Sequence, residues 1–132
     1  MKLFLFTDGG SRSNPGPSAT GVVIKDAKGN ILASYGEYLG IQTNNYAEYK
    51  AIISALKKAI ALGATEVICV LDSKLVVEQL SGNWKIKHEN IKPLAKEAFA
   101  VMEKFKSVKF KHVLREKNTE ADAEVNKILD TR

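Results

Sequence analysis

The chain has 132 residues, 45% hydrophobic and 27% charged, the balance of a soluble domain with enough length for one buried core over residues 1–132. A single cysteine and two histidines, His88 and His112, exclude a disulfide framework and a structural zinc site, and no apolar stretch approaches the roughly 20 residues that span a bilayer. The net charge of +5 is concentrated: residues 82–118 hold ten basic and four acidic side chains while the remainder sums to −1, the footprint of a polyanion binder or of a solvated lysine-rich face.

Lys2 to Thr7 (KLFLFT) is apolar at successive positions and predicts a central strand covered on both faces. Asp8 to Pro17 is dense in Gly, Pro, Ser and Asn and predicts a loop. Thr20 to Lys25 and Ile31 to Leu39 read as two strands joined by a hairpin turn at Asp26 to Asn30. Thr43, Asn44 and Asn45 are helix-start residues, and the helix they open runs to Leu62 with Gly63 as its stop. Val67 to Leu71 (VICVL) is a second wholly apolar strand. It carries Cys69, read as a buried, inert thiol; an unpaired thiol without a signal peptide points to a reducing cytoplasm. Ser73 to Leu80 predicts a short helix, Asn83 to Asn90 an irregular segment, and Ile91 to Phe105 a further helix. Val108 to Leu114 is a strand, and Thr119 to Asp130 a closing helix. The order is β-β-β-α-β-α-α-β-α, an α/β sandwich with helices on both sheet faces.

Four acids stand in unexpected places. Asp8 and Asp72 follow the two most apolar strands, whose helical connection favours a parallel pair, so both emerge at the same carboxyl edge. Glu48 falls on the apolar stripe of Ala51, Ile52, Ala55 and Leu56, and Asp122 aligns with Val125 and Leu129. Each has a plainer reading: Asp8-Gly9 as a turn, Asp72 as a helix cap, and Asn45 with Glu48 or Thr119 with Asp122 as capping boxes. If the four converge, their mutual repulsion requires a counter-charge, and an all-oxygen set selects a hard ion, Mg²⁺ or Mn²⁺. Carboxylates that bridge two such ions suit in-line phosphoryl chemistry.

Thr7 to Pro17 (TDGGSRSNPGP), Thr43 to Lys50 (TNNYAEYK), Leu71 to Lys74 (LDSK) and Asn118 to Asn126 (NTEADAEVN) resemble, in order and spacing, the four motifs of type 1 ribonuclease H, across essentially the whole chain. The resemblance implies a five-stranded mixed sheet of order 3-2-1-4-5. It implies sequence-nonspecific endonucleolytic cleavage of the RNA strand of an RNA–DNA hybrid, leaving 5′-phosphate and 3′-hydroxyl ends. Asp8, Glu48, Asp72 and Asp122 fall on the metal-binding, catalytic carboxylates, with Asp8 bridging two ions and Glu48 near the ribose 2′-hydroxyl. Gly9 and Asn14 match minor-groove positions, Asn44 and Asn45 positions flanking the scissile region, and Thr43 a DNA-strand phosphate contact. Lys74 stands where glutamine often occurs, as an added phosphate contact.

Two departures accompany the likeness. Many bacterial members carry a histidine in the loop after the last strand; here that place reads Leu114-Arg115-Glu116-Lys117-Asn118, as in a histidine-less subgroup of archaea and some bacteria. Arg115 is therefore a candidate to replace the histidine or to bind phosphate, while His112 falls inside the strand. The basic helix that grips the hybrid is also missing, since Asn83 to Asn90 is too short for it; Trp84 reads as a packing anchor, and Lys85 and Lys87 as a remnant. The expected protein is a monomer with no obligate protein partner. The competing readings are a broader nuclease that also cuts double-stranded RNA, a noncatalytic nucleic-acid-binding module, and a lysine-rich scaffold.

Overall fold

A computed structural model of the chain describes all residues, Met1–Arg132. The elements in chain order are β1 (Lys2–Ser11), β2 (Gly16–Lys25), β3 (Ile31–Gln42), α1 (Asn44–Ala61), β4 (Glu66–Leu71), α2 (Lys74–Leu80), α3 (Lys92–Met102), β5 (Ser107–His112) and α4 (Thr119–Asp130), with a single 3₁₀ turn at Arg115–Lys117. The strands form one mixed sheet of order β3-β2-β1-β4-β5, antiparallel among the first three strands and parallel from β1 to β4 to β5. That is the order the family resemblance implies.

The expected loop from Asp8 to Pro17 is mostly strand. β1 continues through Ser11, pairing Asp8 with Gly21, Gly9 with Thr20 and Gly10 with Ala19, and β2 begins at Gly16. The glycines that suggest a loop serve close approach instead: a Cβ on Gly9 would lie 2.2 Å from the Ala47 carbonyl carbon, and one on Gly10 would lie 3.1 Å from Val125. Because successive strand residues face opposite ways, α1 sits on one side of the sheet and α4 on the other.

The two faces are covered unequally. A cluster of 23 buried residues, including Leu3, Leu5, Val22, Ile24, Ile52, Leu56, Val67, Cys69 and Leu94, fills the side under α1, α2 and α3. The α4 side has a cluster of only three, Ala19, Val125 and Leu129, so α4 is held as much by backbone approach as by side-chain burial. Gly21 makes that approach feasible, since a Cβ there would stand 2.0 Å from the Ala121 carbonyl oxygen. The expectation that β1 is covered on both faces is corrected accordingly. Leu3 and Leu5 are fully buried but Phe4 and Phe6 only partly, because α4 lies over the far end of β1, with Val125 over Gly10 and Ala121 over Gly21 opposite Asp8; the ammonium groups of Lys2 and Lys25 lie 6.0 and 5.2 Å from the two ring centroids.

Element ends shift where backbone hydrogen bonds decide. β3 runs on to Gln42 because its pairing with β2 continues to Gly16, and β5 stops at His112, where its register with β4 ends at Leu71. α3 ends at Met102, with Glu103 as its cap.

Candidate active site

The parallel register between β1 and β4 ends at Thr7 opposite Leu71, so the next residue on each strand is a carboxylate, Asp8 and Asp72. β4 stops there and β1 does not, which opens a notch at the carboxyl edge of the pair. α1 crosses it at Gly9, where the missing side chain lets the helix backbone come down on the strand; a Cβ would stand 2.3 Å from the Glu48 amide nitrogen. Glu48 thereby points inward at the head of the stripe formed by Ala51, Ile52, Ala55 and Leu56, all fully buried. Carboxylate oxygens of Asp8, Glu48 and Asp72 lie within 4.8 Å of one another. Asp122, from the first turn of α4, adds a fourth carboxyl beside Asp8.

None of the plainer readings of these acids holds. The side chain that caps α1 is Thr43, whose Oγ1 accepts from Tyr46 N at 3.1 Å; Asn44 and Asn45 lie inside the helix. Ser73, not Asp72, caps α2, and Asn118, not Thr119, occupies the cap position of α4. The acids are thus free for other work.

Crowding changes their protonation. Burial, and after it the nearby carboxylates, push Asp8 up to about 8, while burial foremost pushes Glu48 up to about 7 against a Ser73 hydroxyl contact that acts the other way. Asp72 is raised by burial too, with a hydrogen bond from Asn118 and the charge of Arg115 opposing. Glu48 Oε2 is buried and has no hydrogen-bond partner, a costly arrangement for a carboxylate oxygen with nothing to receive. An oxygen-only donor set, unable to keep all its charges alone and with one oxygen unpartnered, fits a hard divalent cation.

A cleft of about 410 Å³ leads to the cluster, lined by Asp8, Gly9, Arg12, Asn44, Glu48, Asp72, Arg115 and Asp122 among others. Arg115 stands at its rim, its side chain 79% exposed and Nη2 3.4 Å from Asp122 Oδ1. The remaining expected contact residues do not all gather there. Asn14, Thr43, Asn44 and Asn45 line a neighbouring groove, in which Asn44 N donates to Asn14 Oδ1 at 3.1 Å while Asn44 Oδ1 accepts from Ser11 N at 2.8 Å. These bonds tie the β1–β2 turn to the start of α1. Lys74 is exposed at the start of α2, and Gly9 is buried beneath α1. His112 ends β5 and does not line the acid cleft. Trp84 is not a packing anchor: it is 45% exposed and lines a third groove with Gln79, Lys85 and Lys87, because no element of the fold covers the irregular segment after α2.

Residues 6–128 match the family described as reverse transcriptase-like. The structure of RNase H1 from the halophilic archaeon Halobacterium salinarum superposes with a TM-score of 0.97 at 36% identity, over the full length of both chains. The chain belongs to the type 1 ribonuclease H family. The LC11-RNase H1 solved in complex with an RNA/DNA hybrid is 39% identical, with a TM-score of 0.93 over 98% of this chain and 97% of that one. A bifunctional protein of Mycobacterium tuberculosis is 44% identical across 98% of this ribonuclease H sequence, which spans only 36% of that relative's length. The chain likewise spans 65% of the Halobacterium salinarum ribonuclease HI sequence, at 37% identity. As a family member it has Arg115, and no histidine, between β5 and α4, and no helix in the segment from Asn83 to Asn90.

Three residues of the site were not anticipated. Asn118, 2% exposed, joins β1 to the start of α4 beside Asp72; Ser73 stands beside Glu48; and Asn126 Nδ2 donates to Asp122 Oδ2 at 3.2 Å. Asn126 alone had a visible signal, four residues beyond Asp122 on one helix face.

Proposed function

We propose that this domain is a metal-dependent endoribonuclease that hydrolyses the RNA strand of RNA–DNA hybrids without sequence preference. The observation that carries the reading is the convergence of Asp8, Glu48 and Asp72 within 4.8 Å, with Glu48 Oε2 buried and unpartnered, in a ribonuclease H family member. The relative solved with an RNA/DNA hybrid supports the substrate class.

In this reading Asp8, Glu48, Asp72 and Asp122 would hold two Mg²⁺ or Mn²⁺ ions. The chemistry such ions would supply is activation of a water and charge neutralisation at the scissile phosphodiester, with 5′-phosphate and 3′-hydroxyl ends as the expected products. The chain's own part is orientation. Asn126 holds Asp122 by a hydrogen bond, and Ser73 and Asn118 stand beside Glu48 and Asp72 and favour their charged forms. Arg115, free to swing from its exposed pairing with Asp122, meets a backbone phosphate in the place where other members use histidine. Asn14 faces the minor groove, with Asn44 and Asn45 beside the scissile region and Thr43 and Lys74 toward phosphates, while Gly9, buried under α1, contributes by letting that helix sit on the strand. Reading a 2′-hydroxyl in a wide, shallow groove separates RNA from DNA, and phosphate contacts supply affinity without sequence. The domain acts as one unit and as a monomer, in the cytoplasm; no helix is long and apolar enough to cross a membrane.

The test is a panel of labelled RNA–DNA, RNA–RNA and DNA–DNA duplexes incubated with the protein in Mg²⁺, Mn²⁺ or EDTA. Cleavage confined to the RNA of the hybrid, and abolished by EDTA, is expected. Cutting of the RNA–RNA duplex would assign a broader nuclease, and binding without cutting a noncatalytic module.

A further inference from the structure

One stripe of α4 is not used up by the metal centre. Asp122, Asn126 and Asp130 follow at four-residue spacing, so they stand in line on one face of the helix, about 12 Å from first to last. Each end of the stripe holds an arginine brought from elsewhere in the chain. Arg115 Nη2 lies 3.4 Å from Asp122 Oδ1, and Arg12 Nη2 lies 2.6 Å from Asp130 Oδ1. Asn126 joins the two ends: its Nδ2 donates to Asp122 at 3.2 Å, and its Oδ1 accepts from Arg12 at 3.4 Å. Arg12 comes from the β1–β2 turn, four residues after Asp8, and it lines the same cleft as the acid cluster.

Nothing in the packing demands an arginine there. The Arg12 and Asp130 side chains are 46% and 65% exposed, and pairs so open to water contribute little to folding. A guanidinium held only by a weak surface partner exchanges it readily for a phosphodiester, whose two free oxygens match the planar fork. The position also answers an electrostatic need, because a strand laid over four carboxylates is repelled wherever cations do not offset them.

We propose that Arg12 is a substrate-binding residue. It leaves Asp130 and takes a phosphate of the nucleic-acid strand lying over the acid cluster, so that Arg12 and Arg115 bracket the metal centre from its two sides. Asp130 is its resting partner, and Asn126 is the link between the two arms. The assignment rests on the hybrid-nuclease reading above.

The experiment measures binding of a fluorescent RNA–DNA duplex in EDTA, where it is not cut, across about 50 to 200 mM NaCl. Arg12→Ala is expected to weaken binding several-fold and to reduce the salt slope by about 1, and Arg12→Lys to restore the slope. Lys28→Ala, in the β2–β3 hairpin at the far end of the sheet, serves as the control and leaves both unchanged. Asp130→Asn is expected to bind roughly twofold to fivefold tighter, and that gain disappears in the Arg12→Ala background. In cleavage assays Arg12→Ala raises KM more than it lowers kcat. An unchanged slope in Arg12→Ala, or an Asp130→Asn gain that persists without Arg12, overturns the assignment alone. Failure of the wild-type protein to bind the hybrid at all overturns the hybrid-nuclease reading with it.

Discussion

The Asn118 side-chain amide, at the start of α4, donates to the Thr7 carbonyl oxygen in β1 over 2.8 Å. That carbonyl belongs to the last residue of β1 paired with β4, and the same side chain stands beside Asp72, whose charged form it favours. One buried residue therefore ties the strand that carries Asp8 to the helix that carries Asp122, whose backbone N–H donates to the Asn118 carbonyl oxygen at 3.2 Å. Asn118→Ala is expected to cost about 1–3 kcal/mol, since it leaves a buried carbonyl unpaired, and to weaken Mg²⁺ binding in calorimetry. A variant that loses stability but keeps wild-type metal affinity would reduce Asn118 to a structural cap.

Removing charge from the cluster separates chemistry from folding. Asp8→Asn, Glu48→Gln and Asp72→Asn are each expected to abolish hybrid cleavage, by at least about a thousandfold, with hybrid binding retained. Asp122→Asn is expected to be milder, because its carboxyl lies outside the tight group of three and is 26% exposed. Substantial activity in any of the first three variants sinks the assignment.

The same crowding sets a pH dependence. Asp8 titrates near 8 in the folded chain and near 3.8 as an unperturbed carboxyl, and Glu48 near 7 against 4.5. Between those limits the folded state keeps protons that the unfolded state has released, so stability falls as pH rises from about 4 to about 8 and levels off beyond. In EDTA, thermal melts should show this decline. Asp8→Asn should flatten it and raise Tm by about 5–10 °C at pH 8. Saturating Mg²⁺ should recover much of the loss for the wild type, because binding to the folded state alone stabilises it.

The seat of α4 gives a fourth prediction. A methyl group at Gly21 would stand 2.0 Å from the Ala121 carbonyl oxygen, and only three buried side chains otherwise anchor that helix. Gly21→Ala is expected to push α4 off the sheet, lower stability by about 2 kcal/mol or more and carry Asp122 away with it. Its residual activity should fall to the level of Asp122→Asn or below, as steady-state cleavage rates would reveal.

Much of this was legible in the chain. Periodicity and helix signals placed every helix and strand in order, and two apolar strands each followed by an aspartate located the parallel pair with its edge. Glu48 was conspicuous as an acid on an apolar stripe. The misreadings share a cause. Gly9 and Gly10 look like loop residues because local composition does not reveal that a helix lies on the strand at those positions. The even burial expected for β1 failed because α4 crosses only the far end of that strand, at Gly10, and leaves Phe4 and Phe6 beyond its reach. Asn118 was missed because its partner comes from far along the chain, Thr7 lying 111 positions away, whereas Trp84 was misplaced because no element comes over the segment after α2. Side chains whose role is set by such long contacts carry no short-range signature.

The parallel pairing of residues 2–7 with residues 66–71 also bears on when the molecule becomes chemically competent. A chain made from its N-terminus cannot complete the central pair until β4 exists, and its fourth carboxylate waits for the closing helix. Each earlier species holds isolated aspartates and glutamates that attract no ion strongly. Under the proposed function, a copy in which β4 has not yet paired with β1 holds no assembled acid cluster and is expected to leave nucleic acid uncut.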